Sequence, residues 1–295
     1  MEQRDVCIFG HISRELNGDG GNEPARHPGG VAFNTAATLA GLGARVTLVT
    51  KIAGSDEQSM FELLHRLQVN SIILPSPATS VFECKRGDTD AAQHRYVHAV
   101  AAPFFEKDLD QTDANWILLG PQSAMEMSID FINKATDLGA VALDIQGLVN
   151  VIEGGDIVLR ARPGLLPSLS GVTILKANQA EAYSLTGVND PEKAAQTIHA
   201  LGPREVIVTT ENQGAVVSVD GEVHRIPAFA PKNKVDTSGW GDTFLAGYLY
   251  QRIKGDGPVS AGQFASVLAA LKAEQHGPFT GSAEQVDKAR NRLYQ

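Results

Sequence analysis

The chain of 295 residues contains only two cysteines, 6% aromatic residues and no long apolar run. Cys7 lies in an apolar segment and Cys84 in a polar one, so the two form neither a disulfide framework nor a metal-binding spacing. No run approaches the roughly 18 apolar residues of a membrane span, and the first residues do not resemble a signal peptide. We therefore expect a cytoplasmic protein that does not bind membranes.

A basic segment is also missing from the sequence. The chain has 25 lysine and arginine residues against 34 aspartate and glutamate residues, which gives a net charge of −9. This balance argues against a surface that binds nucleic acid or an anionic membrane. It also disfavours anionic substrates unless metal ions bridge them to the protein.

Several catalytic motifs are absent as well. The chain has no Gly-x-x-x-x-Gly-Lys sequence of a P-loop, no His-Glu-x-x-His sequence and no Gly-x-Ser-x-Gly elbow. Residues 10–15, which follow the first apolar segment, lack the three glycines of a dinucleotide-binding turn. The eight histidines show no metal-ligand spacing. These absences exclude the commonest nucleotide-binding, zinc-hydrolase and serine-hydrolase sites.

The sequence does contain short apolar segments that alternate with helical patterns. The segments that read as buried strands are 6–10, 46–52, 116–120, 141–145, 172–175, 205–209 and 215–219. Helical spacing separates several of them, as in 56–67 and 123–138. This alternation predicts an α/β fold with a mostly parallel central sheet flanked by helices on both faces. Two segments break the pattern: 11–28 is polar and glycine-rich, and 79–101 alternates polar and apolar residues, as strands exposed on one face do.

The most informative stretch is 236–247, where a glycine-rich turn leads into an apolar helix. Gly239 and Gly241 let the backbone turn sharply and direct N–H groups towards one point. The helix adds unpaired N–H groups and the positive end of its dipole, so the turn is an expected anion site. Asp242 places a carboxylate there, either as a helix cap or as a base that takes a proton from an attacking hydroxyl.

Residues 236–247, Asp-Thr-Ser-Gly-Trp-Gly-Asp-Thr-Phe-Leu-Ala-Gly, resemble the C-terminal signature of ribokinase-like sugar kinases. Three further segments are similar to motifs of that family and follow its order: 28–34 to GGxxxN, 176–182 to NxxE and 206–215 to VTxGxxG. The resemblance implies a ribokinase-like fold in one domain over 1–295, with 11–28 and 79–101 forming a small β lid. It also implies an ATP-dependent kinase that uses Mg²⁺ and phosphorylates a hydroxyl of a small sugar, sugar acid or cyclitol.

The same resemblance implies roles for individual residues. It makes Asp242 the general base, and it makes the backbone of Gly239, Trp240 and Gly241 a hole for the transferring phosphoryl group. The acceptor would lie against Glu15, Gly29, Gly30 and Asn34. The residues assigned to ATP are Asn178, Glu181, Thr209, Gly214, Asp236 and Thr237, of which Asn178 and Glu181 would hold Mg²⁺ through water. Several family members bind a monovalent cation, here K⁺, beside the residue that corresponds to Asp236.

Three positions depart from the family pattern: Glu15 replaces a frequent Asp, Glu211 a Gly and Trp240 an Ala. Other interpretations stay open, since Asn34 and Asn178 could simply cap helices. Residues 144–147, Asp-Ile-Gln-Gly, resemble a segment of the inositol-kinase branch, although such a sequence also terminates ordinary strands. The acceptor could be a nucleoside, and the chain could be a ligand-binding relative without catalysis. The lid strands offer a surface through which a homodimer could form.

Overall fold

The computed structural model describes residues 3–17, 25–86, 93–162 and 164–292. Within them the strands are β1 (Arg4–Phe9), β2 (Ser13–Asn17), β3 (Ala25–Gly29), β4 (Val46–Ile52), β5 (Asn70–Pro75), β6 (Ser80–Arg86), β7 (Gln93–Ala99), β8 (Ala114–Leu119), β9 (Ala140–Asp144), β10 (Asn150–Glu153), β11 (Asp156–Leu159), β12 (Ile174–Asn178), β13 (Glu205–Thr209), β14 (Ala215–Val219) and β15 (Glu222–Ile226). The α-helices are α1 (Val31–Gly41), α2 (Glu57–Arg66), α3 (Ile129–Leu138), α4 (Gln146–Val149), α5 (Leu165–Ser168), α6 (Gln179–Thr186), α7 (Pro191–His199), α8 (Trp240–Ile253), α9 (Pro258–Ala273) and α10 (Ala283–Asn291).

A nine-stranded sheet forms the centre of the molecule, with the strand order β15-β14-β13-β12-β9-β8-β1-β4-β5. All neighbours from β13 to β5 pair in parallel, and only β14 and β15 at one edge are antiparallel. The predicted, mostly parallel α/β sheet is therefore confirmed. Parallel strands end at the same edge, where α/β sheets hold their ligands: Asp144 at the end of β9 is level with Lys176 of β12, and Asn178 at the end of β12 is level with Thr209 at the end of β13.

Helices cover both faces of this sheet. Along β1, Val6 and Ile8 face one hydrophobic core, and Cys7 and Phe9 face the other, as the two-residue period of a strand requires. The first core also contains side chains of α1, α2, α8 and α9, and the second contains side chains of α3, α6 and α7. This packing brings the N-termini of α1 and α8 to the same side of the sheet.

A second sheet of six strands has the order β10-β11-β7-β6-β2-β3. Four of its strands come from the two segments that departed from the strand-helix alternation, 11–28 and 79–101. The remaining hairpin, β10 and β11, had no counterpart in the sequence predictions. Within this sheet β2 and β6 are parallel, and the other described pairs are antiparallel. Among the described residues, no helix has the length and apolar character needed to cross a membrane.

One predicted helix is shorter than expected. The pattern over 123–138 gives a helix only from Ile129, with the Ser128 side chain as its cap. Upstream, the Glu126 carboxylate accepts the backbone N–H groups of Gln122, at 2.8 Å, and Ser123, at 3.1 Å. These bonds stabilise a turn in place of the first helical residues, and the turn brings Gln122 towards the second sheet.

Candidate active site

The glycine-rich turn before α8 has the shape that its sequence predicts. Gly239 is the residue before the helix and has φ +72°, a left-handed conformation that favours glycine. A Cβ atom there would lie 2.7 Å from the side-chain nitrogen of Asn34, so the close approach also requires glycine. The turn is closed by two bonds: Asp236 Oδ1 accepts the Ser238 N–H at 2.9 Å, and the Thr237 carbonyl accepts the Trp240 N–H at 3.2 Å.

Asp242 lies in the first turn of α8 and is only 8% exposed. Its Oδ2 accepts a hydrogen bond of 2.7 Å from Asn34 Nδ2 in α1. Neither side chain caps its own helix, because Gly239 precedes α8, Gly30 precedes α1, and both helices begin without a side-chain cap bond. The structure thus joins two residues 208 positions apart in the sequence. Burial and the nearby Asp144 carboxylate raise the pKa of Asp242 above its ordinary value.

A buried lysine packs against the backbone of the glycine-rich turn before α8. Lys176 in β12 is 3% exposed, and its Nζ lies 3.0 Å from Asp144 Oδ2 and 3.9 Å from Glu181 Oε2. A Cβ atom on Gly241 would lie 3.0 Å from this Nζ, so the ammonium packs directly against the backbone of the turn. Burial works to lower the pKa of Lys176, but the carboxylates of Asp144, Glu181 and Asp242 raise it above its usual value. Lys176 is therefore a permanent positive charge beside the expected anion site.

Asn178 and Glu181 form a capping box at the start of α6. Asn178 Oδ1 accepts the Glu181 N–H at 2.8 Å, and Glu181 Oε2 accepts the Asn178 N–H at 2.7 Å. Glu181 Oε1 accepts a further 2.7 Å bond from Asn178 Nδ2. Burial raises the pKa of Glu181 to about 7, while the charge of Lys176 opposes the rise. Both carboxylate oxygens are thus engaged within the protein.

These bonds limit how Mg²⁺ could bind here. The ion prefers oxygen ligands and keeps several of its waters. Asn178 and Glu181 already bind one another through these oxygens, so the two residues fit the ion best through water, as the resemblance implies. Within the described ranges, no group of three or more His, Cys, Asp or Glu side chains is arranged as a metal site. Asp144, Glu181 and Asp242 nevertheless outnumber the single ammonium of Lys176, so their local charge favours a cation brought in with phosphates.

The residues assigned to the acceptor lie beside two that the sequence analysis missed. Arg95 Nη2 in β7 donates to Glu15 Oε1 and to Gln122 Oε1, both at 2.9 Å. Glycine is required next to them, since a Cβ atom on Gly29 would lie 2.5 Å from Glu15 Cγ and one on Gly30 would lie 2.3 Å from Gln122 Nε2. Arg95 also acts to lower the pKa of Asp242, so its charge reaches the expected base.

Arg95 has the features of a ligand-binding side chain. Its guanidinium carbon lies 4.3 Å from the centre of the Phe82 ring, which fixes the plane of the group. Its Nε atom is buried and has no hydrogen-bond partner in the described part of the chain. A buried donor without a partner is costly, and such groups are expected mainly where function requires them.

The remaining ATP-site residues lie at the edge of the central sheet or in the loops beyond it. Thr209 ends β13 and pairs in register with Asn178, so these two predicted residues are neighbours. Gly214 has φ +96°, and a Cβ atom there would lie 2.1 Å from the Ile226 carbonyl oxygen, so the fold itself requires this glycine. Glu211 is exposed and has φ +47°. It adopts a left-handed backbone, and its side chain is exposed to solvent.

Trp240 packs away from the second sheet. Its indole Nε1 donates to the backbone carbonyl of Ala269 in α9, and Lys234 Nζ lies 5.4 Å from the ring centre. The ring therefore fills space between α8 and α9, and the departure from alanine leaves the backbone of the turn unobstructed.

Two further residues of the site carried a signal in the sequence: Lys176, which had no predicted role, and Asp144, which was noted only as part of the segment similar to the inositol-kinase branch. Lys176 interrupts an apolar strand and Asp144 ends one, and a charged residue in a buried strand needs a partner. Arg95 and Gln122 carried no such signal, because one lies in a polar strand and the other in a loop.

Comparison with known proteins agrees with this geometry. A sequence model described as pfkB family carbohydrate kinase matches residues 3–285. The nucleoside kinase of Methanothermobacter thermautotrophicus is 27% identical, over 96% of this chain and 95% of its own. The ribokinase of Bacillus subtilis is 25% identical, over 93% of this chain and 94% of its own.

A solved structure described as a pyrophosphate-dependent kinase in the ribokinase family, complexed with a pyrophosphate analog and myo-inositol, superposes with a TM-score of 0.85. It is 25% identical and covers 96% of this chain and 99% of its own. The ribokinase-like fold and the kinase class predicted from the four motifs are confirmed. The family model spans nearly the whole chain, so the protein belongs to the pfkB family of carbohydrate kinases and is an ATP-dependent kinase.

Proposed function

We propose that the protein transfers the terminal phosphoryl group of ATP to a hydroxyl of a small sugar, sugar acid or cyclitol, with Asp242 as the general base. The observation that carries the proposal is the contact between Asn34 and Asp242 at the N-terminus of α8. It holds a buried carboxylate beside a turn built to bind an anion. A general base must lie within hydrogen-bond reach of the hydroxyl it activates, and its pKa works best when raised towards neutrality.

Asp242 would act through its free oxygen. Asn34 occupies Oδ2, whereas Oδ1 accepts no hydrogen bond from the described residues. As the acceptor oxygen bonds to the terminal phosphorus, its proton passes to Asp242, the bond from that phosphorus to the bridging oxygen breaks, and ADP leaves. In this step Asn34 keeps the carboxylate oriented and, with Lys176, opposes the rise of its pKa.

The anion hole would combine backbone and side-chain groups. Gly241 and Asp242 belong to the first turn of α8, so their N–H groups have no helical acceptor. The Lys176 ammonium behind Gly241 would add positive charge in a buried place where charges are weakly screened, and Asp144, 3.0 Å from its Nζ, neutralises part of that charge. Mg²⁺ bound with ATP would neutralise phosphate charge beside Asn178 and Glu181, through water. Thr209, which pairs with Asn178, and Thr237, which belongs to the turn before α8, would contact the phosphates.

The acceptor side favours a compact polyol. Glu15, Arg95 and Gln122 alternate hydrogen-bond acceptors and donors over a short distance, as neighbouring hydroxyls require. A nucleobase would instead need an aromatic face on which to stack, and the Phe82 ring is fully buried beneath Arg95. The similar kinase structure complexed with myo-inositol, a compact polyol, also supports this choice of acceptor.

A nucleoside is the second candidate acceptor, because a relative named nucleoside kinase aligns over nearly the whole chain. In either case the second sheet would act as a lid of the single domain, since it contributes Glu15 and Arg95 and would exclude water from the transfer. A homodimer through the edge strands of this sheet remains a prediction.

The test is ATP-to-ADP turnover with Mg²⁺ on hexoses, pentoses, sugar acids, inositols and nucleosides, with pyrophosphate as donor in a parallel set. We expect turnover on one polyol class. Arg95→Met should raise KM for that acceptor about tenfold or more while KM for ATP stays nearly constant. Arg66→Met, at an arginine whose side chain is 68% exposed in α2, is the matched control. Turnover on nucleosides alone, or an Arg95→Met enzyme with unchanged acceptor KM, would refute the acceptor assignment.

A further inference from the structure

Lys272 is a second buried lysine, placed next to the turn that precedes α8. It lies in α9 and is 1% exposed. Its Nζ donates to the Asp236 backbone carbonyl at 2.9 Å and to Asp236 Oδ2 at 2.8 Å. Burial works to raise the pKa of Asp236, but the bonds from Lys272 and Ser238 hold it below its ordinary range. The two side chains are therefore a charged pair.

This pair lies where the family resemblance implies a monovalent cation. An exchangeable cation beside Asp236 would use the carboxylate and nearby backbone carbonyls as ligands, and both kinds of oxygen are already bound by an ammonium. A second positive ion at those atoms would lie within a few ångströms of Lys272 and be repelled by it. The residues present therefore do not fit K⁺ at this place.

We propose that the Lys272 ammonium replaces the monovalent cation, so that the kinase works without K⁺. The contacts show how the charge would act on the site. Asp236 Oδ2 also accepts the Gly277 N–H at 3.3 Å, and Oδ1 accepts the Ser238 N–H at 2.9 Å. Lys272 thus fixes the carboxylate that shapes residues 236–239 and joins them to the loop at 277. It is a positioning residue, since it reaches the anion site only through Asp236.

The first test compares the wild-type protein in tetramethylammonium, Na⁺, K⁺ and NH₄⁺ chlorides at equal ionic strength. We expect kcat to change less than about twofold among them, the scale of general salt effects. The activity readout rests on the proposed function, but the melting temperature does not. It should likewise be the same in K⁺ and tetramethylammonium, with neither ATP nor acceptor present. An activation by K⁺ of about tenfold or more, or a melting temperature that rises specifically with K⁺, would overturn the inference.

The second test uses Lys272→Met, with Lys288→Met as the control at a lysine whose side chain is 68% exposed. In tetramethylammonium we expect Lys272→Met to lose roughly tenfold or more in kcat/KM for ATP, because Asp236 is left without its cation. K⁺ or NH₄⁺ should restore part of this activity and raise the melting temperature of Lys272→Met alone. A merely structural lysine would give no cation rescue, and a folded variant without rescue in either readout would refute the proposal. If Lys272→Met does not fold, Lys272→Gln takes its place, and the wild-type comparison remains decisive by itself.

Discussion

Removal of the Lys176 ammonium is the perturbation with the clearest structural consequence. The side chain is 3% exposed and lies among the carboxylates of Asp144, Glu181 and Asp242. Lys176→Met keeps most of the volume but leaves these carboxylates without their cation in a place that water barely reaches. The protein must then bury uncompensated charge or protonate a carboxylate, and both outcomes cost free energy.

The distances set the size of the effect. With an effective dielectric constant of about 20, a charge pair at the 3.0 Å of Asp144 contributes about 5.5 kcal/mol, and one at the 3.9 Å of Glu181 about 4 kcal/mol. The cost of burying the ammonium offsets much of this attraction. We therefore expect Lys176→Met to lower the free energy of unfolding at pH 7 by about 3–5 kcal/mol, the range for breaking a buried ion pair.

A second substitution separates lost charge from lost packing. Asp144→Asn, added to Lys176→Met, removes one of the uncompensated charges and should restore about 1 kcal/mol or more. Lys134→Met, at an exposed lysine of α3, should stay within about 0.5 kcal/mol of wild type. Urea unfolding followed by circular dichroism measures wild type, the single variants Lys176→Met, Asp144→Asn and Lys134→Met, and the double variant. A loss below about 1 kcal/mol in Lys176→Met, or a double variant whose losses simply add, would refute the electrostatic explanation.

Three further predictions concern neighbouring residues. Glu181 has a pKa of about 7 in the folded protein against an ordinary 4.5, so its protonation stabilises the fold fully below pH 4.5, and this stabilisation is lost as the pH rises through 7. The urea midpoint should therefore depend less on pH between 4.5 and 7 in Glu181→Gln than in wild type. The same dependence of the midpoint on pH in both proteins would contradict this. Asn34→Leu removes the hydrogen bond from Asn34 that opposes the rise in the pKa of Asp242, so the acid limb of the plot of kcat/KM against pH should move to higher pH. An acid limb at the wild-type pH would count against Asp242 as the titrating base. Glu211→Gly relieves the strain of a left-handed backbone at φ +47° and should change the free energy of unfolding by between zero and about +1 kcal/mol. A clear fall in the melting temperature would show that Glu211 is not strained.

Much of the fold could be predicted from the sequence because the apolar segments, the helical spacing and the glycine-rich turn all indicate the same α/β arrangement. The apolar segments became the central strands, and the glycine-rich turn began α8 next to Asp242. The motif order also placed Asn34 and Asp242 in one site, although no local pattern shows their contact. The capping interpretation of Asn178 could not be separated from a metal role in advance, because a carboxylate three residues after an amide suits both. The structure contains the cap, and the metal role remains a proposal.

The rest of the site depends on contacts between segments far apart in sequence. Arg95 meets Glu15 across 80 positions because β6 lies between β2 and β7 in the second sheet, and it meets Gln122 across 27 because this sheet lies against the loop after β8. Alternation along β7 shows which residues share a face but not what that face meets. Lys176 finds Asp144 because β9 and β12 are neighbours in the central sheet, although β10 and β11 lie between them in sequence. No local sequence pattern predicts this order of strands in the sheet.

The central claim is that Asp242 acts as the base, and Asp242→Asn tests it most directly. The amide keeps the shape of the side chain but cannot accept the hydroxyl proton. With a preferred acceptor and saturating ATP and Mg²⁺, the account predicts that kcat falls about 10²–10⁴-fold while ATP binding, measured by calorimetry, stays within about twofold of wild type. A variant that turns over at the wild-type rate would contradict the assignment.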